Sequence, residues 1–363
     1  MTDAAPYREE LDARLEACPD YEAKLDQLRI FTREKQKSLR EADLAGTLPL
    51  TDLFEGLSLL AEAVLLGSLR TAWNELRDNG LPGYAPQGDF LIVAMGKFGG
   101  RELTYKSDLD LVFLYEVPED QEIYGRLATR VISALSLLTR QGIAYPVDTA
   151  LRPSGNRGAL VSSLASFQDY HRTMGRTWER QALIKSRPLF GLEGETHVAE
   201  VVRLIEGIAY QAYDPKKIAG EILHLRGRME HEIAREKPGR YNLKTGRGGL
   251  VDVEFAVQYL QLVHGLNHPN LRTSNTISGL RALAAEGIVE TSLAESLERS
   301  YLFLRKVETR LRLLLDQPAD ELVEGAEWLR ELESRYFQGE GLIPKVVEAR
   351  ESVRAAFERV MGK

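Results

Sequence analysis

Hydrophobic residues in the first part of the chain recur at steps of three and four positions. This spacing runs through residues 8–80 and predicts amphipathic helices. Residues 79–88 are rich in glycine and proline and predict a connection. The pattern then changes, because residues 90–95 and 108–115 are short apolar runs. Such runs, bounded by turn residues, are typical of buried strands.

Helix and strand patterns continue to mix in the middle of the chain. Residues 122–141 return to helical spacing, residues 144–151 alternate as a strand does, and helical patterns dominate from Ser162 onward. The sequence therefore predicts an α+β fold in which a core with strands is flanked by helices on both sides. We expect an N-terminal helical segment at 1–84, a core domain at 85–205 and a C-terminal helical domain at 206–363.

The composition is that of an ordinary soluble globular chain of 363 residues, 44% hydrophobic and 28% charged. Cys18 is the single cysteine, so an intrachain disulfide and a cysteine-based zinc cluster are excluded. The sequence has no apolar stretch of membrane-spanning length and no apolar secretion signal, so we expect a cytoplasmic protein without a membrane partner. The formal charge of -7 argues against nucleic acid as a partner.

Two carboxylates lie at the start of the second predicted strand. Side chains alternate between the faces of a strand, so Asp108 and Asp110 point the same way, about 7 Å apart, while Leu109 and Leu111 point into the core. Like charges this close are costly unless a cation compensates them, and Mg2+ bound to carboxylate oxygens is the usual solution. A solvated strand end is the plain alternative. A buried apolar strand, however, has no structural need for two carboxylates on one face.

A glycine pair precedes these carboxylates in the same loop. Without Cβ atoms, Gly99 and Gly100 let the backbone approach a ligand closely and offer N–H groups to phosphate oxygens. The sequence contains no Walker loop, and this turn lacks the dinucleotide-binding Gly-X-Gly-X-X-Gly pattern. The combination of glycines and paired carboxylates favours a site for a metal-bound nucleotide.

A third carboxylate, Asp148, follows about 40 residues later in the strand predicted at 144–151. If this strand lies beside that of Asp108 and Asp110, three carboxylates converge and can hold two metal ions about 3.5 to 4 Å apart. The structural alternative is an ion pair between Asp148 and Arg152, which share a face of the strand.

Basic residues near these carboxylates suit an anionic ligand. Arg152 opens a turn-rich loop at 152–158 whose donors match phosphate, although a surface turn with solvated arginines explains it equally well. Lys185 and Arg187 stand at the end of a helical stretch. There they either reach a triphosphate or complement the negative end of the helix.

Together, these motifs resemble the glutamine synthetase adenylyltransferase family (glutamate-ammonia-ligase adenylyltransferase), within the DNA polymerase beta-like nucleotidyltransferase superfamily. The similarity covers most of the chain in the order of the family and is carried by residues 96–103, 107–111, 147–148 with 151–155, 178–180 and 244–255. It implies a polymerase beta-like nucleotidyltransferase core with a mixed sheet, flanked by N-terminal helices and a C-terminal helical bundle.

Members of this family carry two such halves in one polypeptide: one removes AMP from glutamine synthetase by phosphorolysis and the other attaches it. This chain has the length of one half. Residues 152–156, Asp252 and residues 275–276 resemble the attaching half, whereas residues 185–188 resemble the removing half. The resemblance therefore implies transfer of AMP from ATP to a tyrosine hydroxyl of glutamine synthetase with release of pyrophosphate. Removal of AMP with orthophosphate, which gives ADP, is the alternative.

The resemblance also implies roles and partners. Asp108 and Asp110 would hold two Mg2+ ions, and Asp148 would complete the site for the ion that binds the tyrosine oxygen. The nucleotide would be bound by Gly99, Gly100, Ser107, Arg152, Lys185 and Arg187. Glutamine synthetase is the implied partner, with the PII signalling protein as a further one. Two other hypotheses stay open: a non-catalytic docking module for either partner, and a metal-dependent glycosyltransferase that binds a nucleotide sugar at Asp108 and Asp110.

Overall fold

A computed structural model of the chain describes residues 4–79, 86–189, 198–339 and 341–362. They form two compact units: a first unit of Met1–Gly175 with Lys185–Ile208, and a second unit of Arg176–Ile184 with Ala209–Lys363. Most of the connection predicted at 79–88 lies outside the described residues. Among the described helices, none combines the length and the apolar composition of a membrane-spanning segment.

Helices dominate the secondary structure. The chain begins with α1 (Ala5–Glu16), α2 (Tyr21–Leu44), α3 (Leu50–Asn79), α4 (Gly96–Gly99), α5 (Gln121–Ser136), α6 (Leu164–Thr173), α7 (Thr177–Ile184) and α8 (Val198–Ala209). It continues with α9 (Pro215–Arg228), α10 (Leu250–His264), α11 (Thr276–Ala285), α12 (Thr291–Leu315), α13 (Glu327–Tyr336) and α14 (Leu342–Val360). The strands are β1 (Phe90–Ala94), β2 (Leu109–Tyr115), β3 (Val147–Asp148), β4 (Val161–Ser163), β5 (Arg187–Leu189), β6 (Arg240–Asn242) and β7 (Glu321–Val323).

Helices α1, α2 and α3 form the N-terminal part of the first unit and confirm the helical interpretation of this region. α2 begins where the Asp20 carboxylate accepts a hydrogen bond from the Ala23 N–H at 2.8 Å, a common N-cap. α3 packs against α1, α2 and α5, which explains its largely apolar sequence. These helices belong to the same unit as the sheet. The domain borders expected after residues 84 and 205 stay a prediction.

The sheet of the first unit has five strands and mixes parallel with antiparallel pairs. β1 is antiparallel to β2 and β5, whereas β2 is parallel to β3 and β4. β1 and β2 are the two apolar runs identified in the sequence, and both are almost entirely buried. The arrangement confirms the predicted α+β fold with a mixed sheet and flanking helices.

Two elements after β2 are shorter than predicted. The helix expected at 122–141 ends at Ser136. The strand expected at 144–151 is reduced to β3, which has two residues. Both predicted lengths were wrong because apolar spacing does not show where the chain turns away from the core. Leu138 continues the apolar sequence of α5, yet it is exposed to solvent.

The turn between α5 and β3 is held by a buried arginine from α2. The Arg29 guanidinium donates hydrogen bonds to the carbonyl oxygens of Leu137 at 2.5 Å and Gly142 at 2.9 Å. Arg29 is 1% exposed, so carbonyl groups rather than water satisfy its charge. This contact between distant parts of the sequence ties the turn to α2 just before the chain enters β3.

The helical interpretation from Ser162 onward overlooked β5, β6 and β7. Each has three residues, which is too short for a period to be visible in the sequence. β6 and β7 form an antiparallel pair in the second unit, where Arg240 donates to both carboxylate oxygens of Glu321. The core of the second unit contains apolar side chains from α10, α11, α12 and α14.

Helix α7 belongs to the second unit, although its neighbours in sequence belong to the first. The Gln181 side-chain amide donates to the Gln258 carbonyl in α10 at 2.7 Å. The Thr177 hydroxyl donates to the Glu221 carboxylate in α9. The chain therefore leaves the first unit before α7 and re-enters it at Lys185.

Candidate active site

Three carboxylates meet at one edge of the sheet in the first unit. Asp108, Asp110 and Asp148 each place one oxygen within 4.8 Å of the others, and we call these residues the acidic group. Asp108 and Asp148 are exposed and Asp110 is half-buried, so a ligand in solvent has access to them. The structure thus brings together the three aspartates that the sequence singled out. Their catalytic role stays a prediction.

The pairing of β2 with β3 assembles the acidic group. The two strands are parallel, and Asp110 and Asp148 are register partners. Asp108 directly precedes β2, so alternation along the strand places it on the same face as Asp110. Leu109 and Leu111 are fully buried. They fix the register, because a slip by one residue would exchange the leucines with the carboxylates.

Asp148 does not form the ion pair with Arg152 that was its structural alternative. Arg152 Nη1 donates instead to the carbonyl and hydroxyl oxygens of Thr149 at 2.8 and 2.7 Å and to Asn156 Oδ1 at 3.2 Å. Arg152 therefore stabilises its own loop. The Asp148 carboxylate accepts a hydrogen bond from the Ala150 N–H at 2.7 Å, in a turn that ends β3.

A glycine that the sequence analysis overlooked lies against the acidic group. Gly96 has a φ of +57°, and a Cβ atom added to it would lie 2.4 Å from a carboxylate oxygen of Asp110. A side chain at Gly96 would therefore be both strained and in collision with Asp110. The usable signal was its position two residues after the end of β1, because antiparallel pairing brings the end of β1 beside the start of β2.

The glycine pair predicted to bind phosphate has a structural use. The N–H of Gly99 donates to the Met95 carbonyl at 2.9 Å, and the N–H of Gly100 donates to the Gly96 carbonyl at 3.1 Å. A Cβ atom on Gly99 would lie 2.1 Å from the carbonyl oxygen of Lys185, so only glycine allows this close approach. Both N–H groups take part in the turn of α4, and their binding of phosphate stays a prediction.

Ser107 and Lys185, also predicted to contact nucleotide, are buried. The Ser107 hydroxyl accepts a hydrogen bond from the Thr104 N–H at 3.1 Å and so supports the loop before the acidic group. Lys185 forms an ion pair with Glu102, which is also buried. In the structure, the charge of Lys185 neutralises this buried carboxylate. A contact between Lys185 and a triphosphate stays a prediction.

Arg187, the last of the predicted nucleotide contacts, is tied to α3 and α4. Its Nη1 pairs with the Glu62 carboxylate at 2.7 Å. Its Nε and Nη2 donate to the carbonyl oxygens of Gly99 at 3.3 Å and Phe98 at 3.4 Å. Burial lowers the pKa of the Arg187 guanidinium, and the Glu62 carboxylate opposes this shift. A phosphate contact of Arg187 stays a prediction.

Comparison with known proteins shows which family the chain belongs to. A family model described as glutamate-ammonia ligase adenylyltransferase matches residues 1–200. Over 97% of its length, the chain is 35% identical to the bifunctional glutamine synthetase adenylyltransferase/adenylyl-removing enzyme of Thioalkalivibrio sulfidiphilus (strain HL-EbGR7). The chain belongs to the glutamate-ammonia ligase adenylyltransferase family. The resemblance stated from the sequence motifs is thereby confirmed.

The chain spans 36% of the length of this adenylyltransferase relative, which agrees with the expectation of one half of a longer enzyme. A second family model, described as GlnD PII-uridylyltransferase, matches residues 224–360. The adenylyltransferase match covers the acidic group and α4. The uridylyltransferase match covers most of the second unit.

The acidic group of this adenylyltransferase family member fits a divalent cation. Its three carboxylates offer the hard oxygen ligands that Mg2+ prefers, and these oxygens are close enough to share an ion. Within the described residues, neither Asp108 nor Asp148 forms an ion pair with a basic side chain. The protein therefore leaves at least two close negative charges for a ligand to compensate.

The glycine-rich segment before α10 contains a buried charge cluster in the second unit. Asp252 is fully buried and pairs with Arg226. It also accepts hydrogen bonds from the Gly248 N–H at 2.8 Å and from Arg354 Nη1 at 3.3 Å. Arg226 donates further to the Gly246 carbonyl at 2.6 Å. The charges of this cluster therefore fix the loop that precedes α10.

Proposed function

We propose that the chain transfers AMP from ATP to a tyrosine hydroxyl of glutamine synthetase and releases pyrophosphate. The observation that carries this proposal is the acidic group, whose three carboxylates offer oxygens within 4.8 Å of one another. Nucleotidyl transfer requires compensation of triphosphate charge and activation of a hydroxyl group. Membership of the adenylyltransferase family supports AMP as the transferred group and glutamine synthetase as its acceptor.

In this proposal Asp108, Asp110 and Asp148 hold two Mg2+ ions. When bound, Mg2+ supplies positive charge that polarises phosphoryl oxygens and lowers the pKa of a hydroxyl group. Asp110 is oriented by its place within β2, whereas the exposed Asp108 and Asp148 flank it on the solvent side. Gly96 keeps the space beside the Asp110 carboxylate open, because it has no Cβ atom.

Two segments next to the acidic group supply four of the six proposed nucleotide contacts. The segment from the end of α4 to β2 carries Gly99, Gly100 and Ser107, and the loop after β3 carries Arg152. Arg152 is held in place by its bonds to Thr149, so its guanidinium enters binding with little loss of conformational freedom. An arginine next to a bound triphosphate offsets charge on the leaving pyrophosphate.

The direction of transfer is proposed from sequence segments. Residues 152–156, Asp252 and residues 275–276 resemble the attaching half and support AMP transfer to the synthetase. Residues 185–188 resemble the removing half and favour a second candidate, phosphorolysis of adenylyl-tyrosine to ADP. Because that reaction also requires charge compensation at a phosphoryl group, it would use the same carboxylates.

The proposal includes a second partner and a cellular location. The match of residues 224–360 to a PII-uridylyltransferase family supports PII signalling protein as a partner of the second unit. The single cysteine is in keeping with the reducing cytoplasm as the place of the reaction.

Transfer of radiolabel from α-labelled ATP to glutamine synthetase tests the proposal. We expect the parent chain to label a synthetase tyrosine only when Mg2+ is present, and an Asp110→Asn variant to lose the activity. Asp12→Asn changes a partly exposed aspartate of α1 that pairs with Arg70, and it serves as the matched control with unchanged transfer.

Two further incubations separate the competing functions. Release of ADP from adenylylated synthetase with orthophosphate, without labelling in the forward assay, would identify the removing reaction. Thermal stabilisation by UDP-sugars but not by ATP would identify a glycosyltransferase. Absence of transfer in both directions would contradict an enzymatic role and favour a docking module.

A further inference from the structure

We infer that Arg187 is a positioning residue which, together with Glu62, holds α4 in the shape that sets the Asp110 carboxylate for metal binding. The inference rests on the proposed function in one respect, namely that the acidic group binds a divalent cation. It assigns to Arg187 and Glu62 a joint role that is distinct from binding the triphosphate.

All three nitrogens of the Arg187 side chain are engaged inside the first unit. Nη1 pairs with Glu62 of α3 at 2.7 Å, while Nε and Nη2 donate to the carbonyl oxygens of Gly99 and Phe98 at the end of α4. The guanidinium carbon also lies 5.9 Å from the centre of the Phe98 ring. The planar fork of arginine matches such a set of acceptors, and lysine cannot reproduce it.

Helix α4 transmits this contact to the acidic group. It has four residues, and the N–H of Gly100, the residue after its end, donates to the carbonyl of its first residue, Gly96, at 3.1 Å. Gly96 in turn faces Asp110, since a Cβ atom on Gly96 would lie 2.4 Å from a carboxylate oxygen. A displacement of the Gly99 carbonyl would therefore move the backbone that borders the Asp110 carboxylate.

The burial of Glu62 explains why Arg187 stays with α4. Glu62 is 6% exposed, so its carboxylate requires a cation close by. Arg101 approaches the same carboxylate only to 4.0 Å, compared with 2.7 Å for Arg187. Movement of Arg187 to a phosphate group would thus leave a buried negative charge without its closest partner. The pair also has no net charge, which weakens its attraction for a polyanion.

Mn2+ binding to the metal-free protein, measured by electron paramagnetic resonance, tests this inference without any catalytic step. We expect Arg187→Gln and Glu62→Gln each to weaken Mn2+ affinity by about 10-fold, the lower end of effects seen for groups that orient metal ligands. The double variant should bind Mn2+ no more weakly than the more affected single variant, because both substitutions break the same Arg187–Glu62 ion pair.

A milder substitution keeps the test informative if Arg187→Gln does not fold. Arg187→Lys keeps a cation beside Glu62 but cannot donate to both α4 carbonyls, so we expect a smaller loss of Mn2+ affinity, about 3-fold. Arg70→Gln removes an exposed ion pair between α3 and α1 and should leave Mn2+ affinity unchanged.

The opposite pattern would overturn the inference. If Arg187 binds phosphate, Arg187→Gln should raise the KM for ATP and leave Mn2+ affinity unchanged. Glu62→Gln, which frees the arginine from its ion pair, should then not raise the KM. Unchanged Mn2+ affinity in both single variants, or no Mn2+ binding by the parent chain, would equally refute it. If AMP transfer fails while the expected Mn2+ pattern is observed, the proposed function is contradicted and the inference about Arg187 is still supported.

Discussion

The acidic group of the first unit and the buried charge cluster of the second unit use aspartate in opposite ways. Asp108 and Asp148 are exposed and lie close to a third carboxylate. Asp252 is fully buried, and its two oxygens are bonded to Arg226, Arg354 and the backbone N–H of Gly248. The first arrangement leaves charge for a ligand to neutralise, whereas the second neutralises its charge within the protein.

The difference follows from the cost of removing a charge from water. A buried carboxylate without partners is very costly, so Asp252 is compatible with folding only together with its arginines. Exposed carboxylates keep most of their hydration, so Asp108 and Asp148 can be held close to the half-buried Asp110 at a modest cost in repulsion. Close carboxylates at the surface, such as Asp108 and Asp148, therefore indicate ligand binding more clearly than a buried and paired carboxylate such as Asp252 does.

The largest effect on stability is expected from breaking the buried charge cluster. Asp252→Asn leaves the buried Arg226 charge without its closest carboxylate, with Glu230 at 3.4 Å as the remaining one, and should destabilise the second unit by about 3 kcal/mol. Denaturant unfolding, together with amide hydrogen exchange in α10, measures this loss. A change below about 1 kcal/mol would show that Asp252 is no more important to folding than an exposed aspartate.

The matching substitution in the acidic group should have the opposite profile. Asp108→Asn should change the free energy of unfolding by no more than about 0.5 kcal/mol, because the side chain is exposed. AMP transfer should fall by about 100-fold or more, equivalent to about 2.7 kcal/mol of transition-state stabilisation. Rates and denaturation curves of the same preparation provide both values. A loss of stability without a loss of transfer rate would show that Asp108, like Asp252, serves folding rather than ligand binding.

Metal addition should stabilise the first unit alone. At ten times its dissociation constant, Mg2+ should add about 1.4 kcal/mol to the free energy of unfolding, since it binds the folded acidic group. Amide hydrogen exchange, measured peptide by peptide, should show the added protection in β2 and β3. The gain should vanish in Asp148→Asn and persist in Asp252→Asn, and stabilisation of α10 by the metal would argue against this assignment.

A smaller effect is expected from closing the space beside Asp110. Gly96→Ala should cost about 1 kcal/mol of stability because alanine disfavours the left-handed conformation. It should also weaken Mn2+ binding, because the new Cβ atom collides with the Asp110 carboxylate. Gly46→Ala, at another left-handed glycine with open space around its Cβ position, is the matched control. Equal Mn2+ affinity in both variants would exclude the steric explanation.

The parts of the site that could be predicted are those set by local pattern. Buried apolar runs revealed β1 and β2, and strand alternation placed Asp108 and Asp110 on one face. Asp148 followed from the assumption that its strand lies beside β2, which the structure bears out. Because each inference needed only a few consecutive residues, the sequence was sufficient.

The remaining features depend on partners that are remote in the sequence. Arg187 meets a glutamate 125 positions away, and Arg29 holds a turn 113 positions away. No local pattern distinguishes an arginine with such a partner from one exposed to phosphate. The true lengths of α5 and β3 were unpredictable for the same reason, because a contact from α2 fixes the turn between them.

The path of α7 has a consequence for how this protein can be divided. A single cut near Ile208 yields an N-terminal fragment that still carries Gln181 but has lost Gln258, to which its buried amide is bonded. A break at that point would separate α7 from α9 and α10, the helices of the second unit that it contacts. Because α7 of the second unit lies between two segments of the first, no single cut of the chain separates the two units.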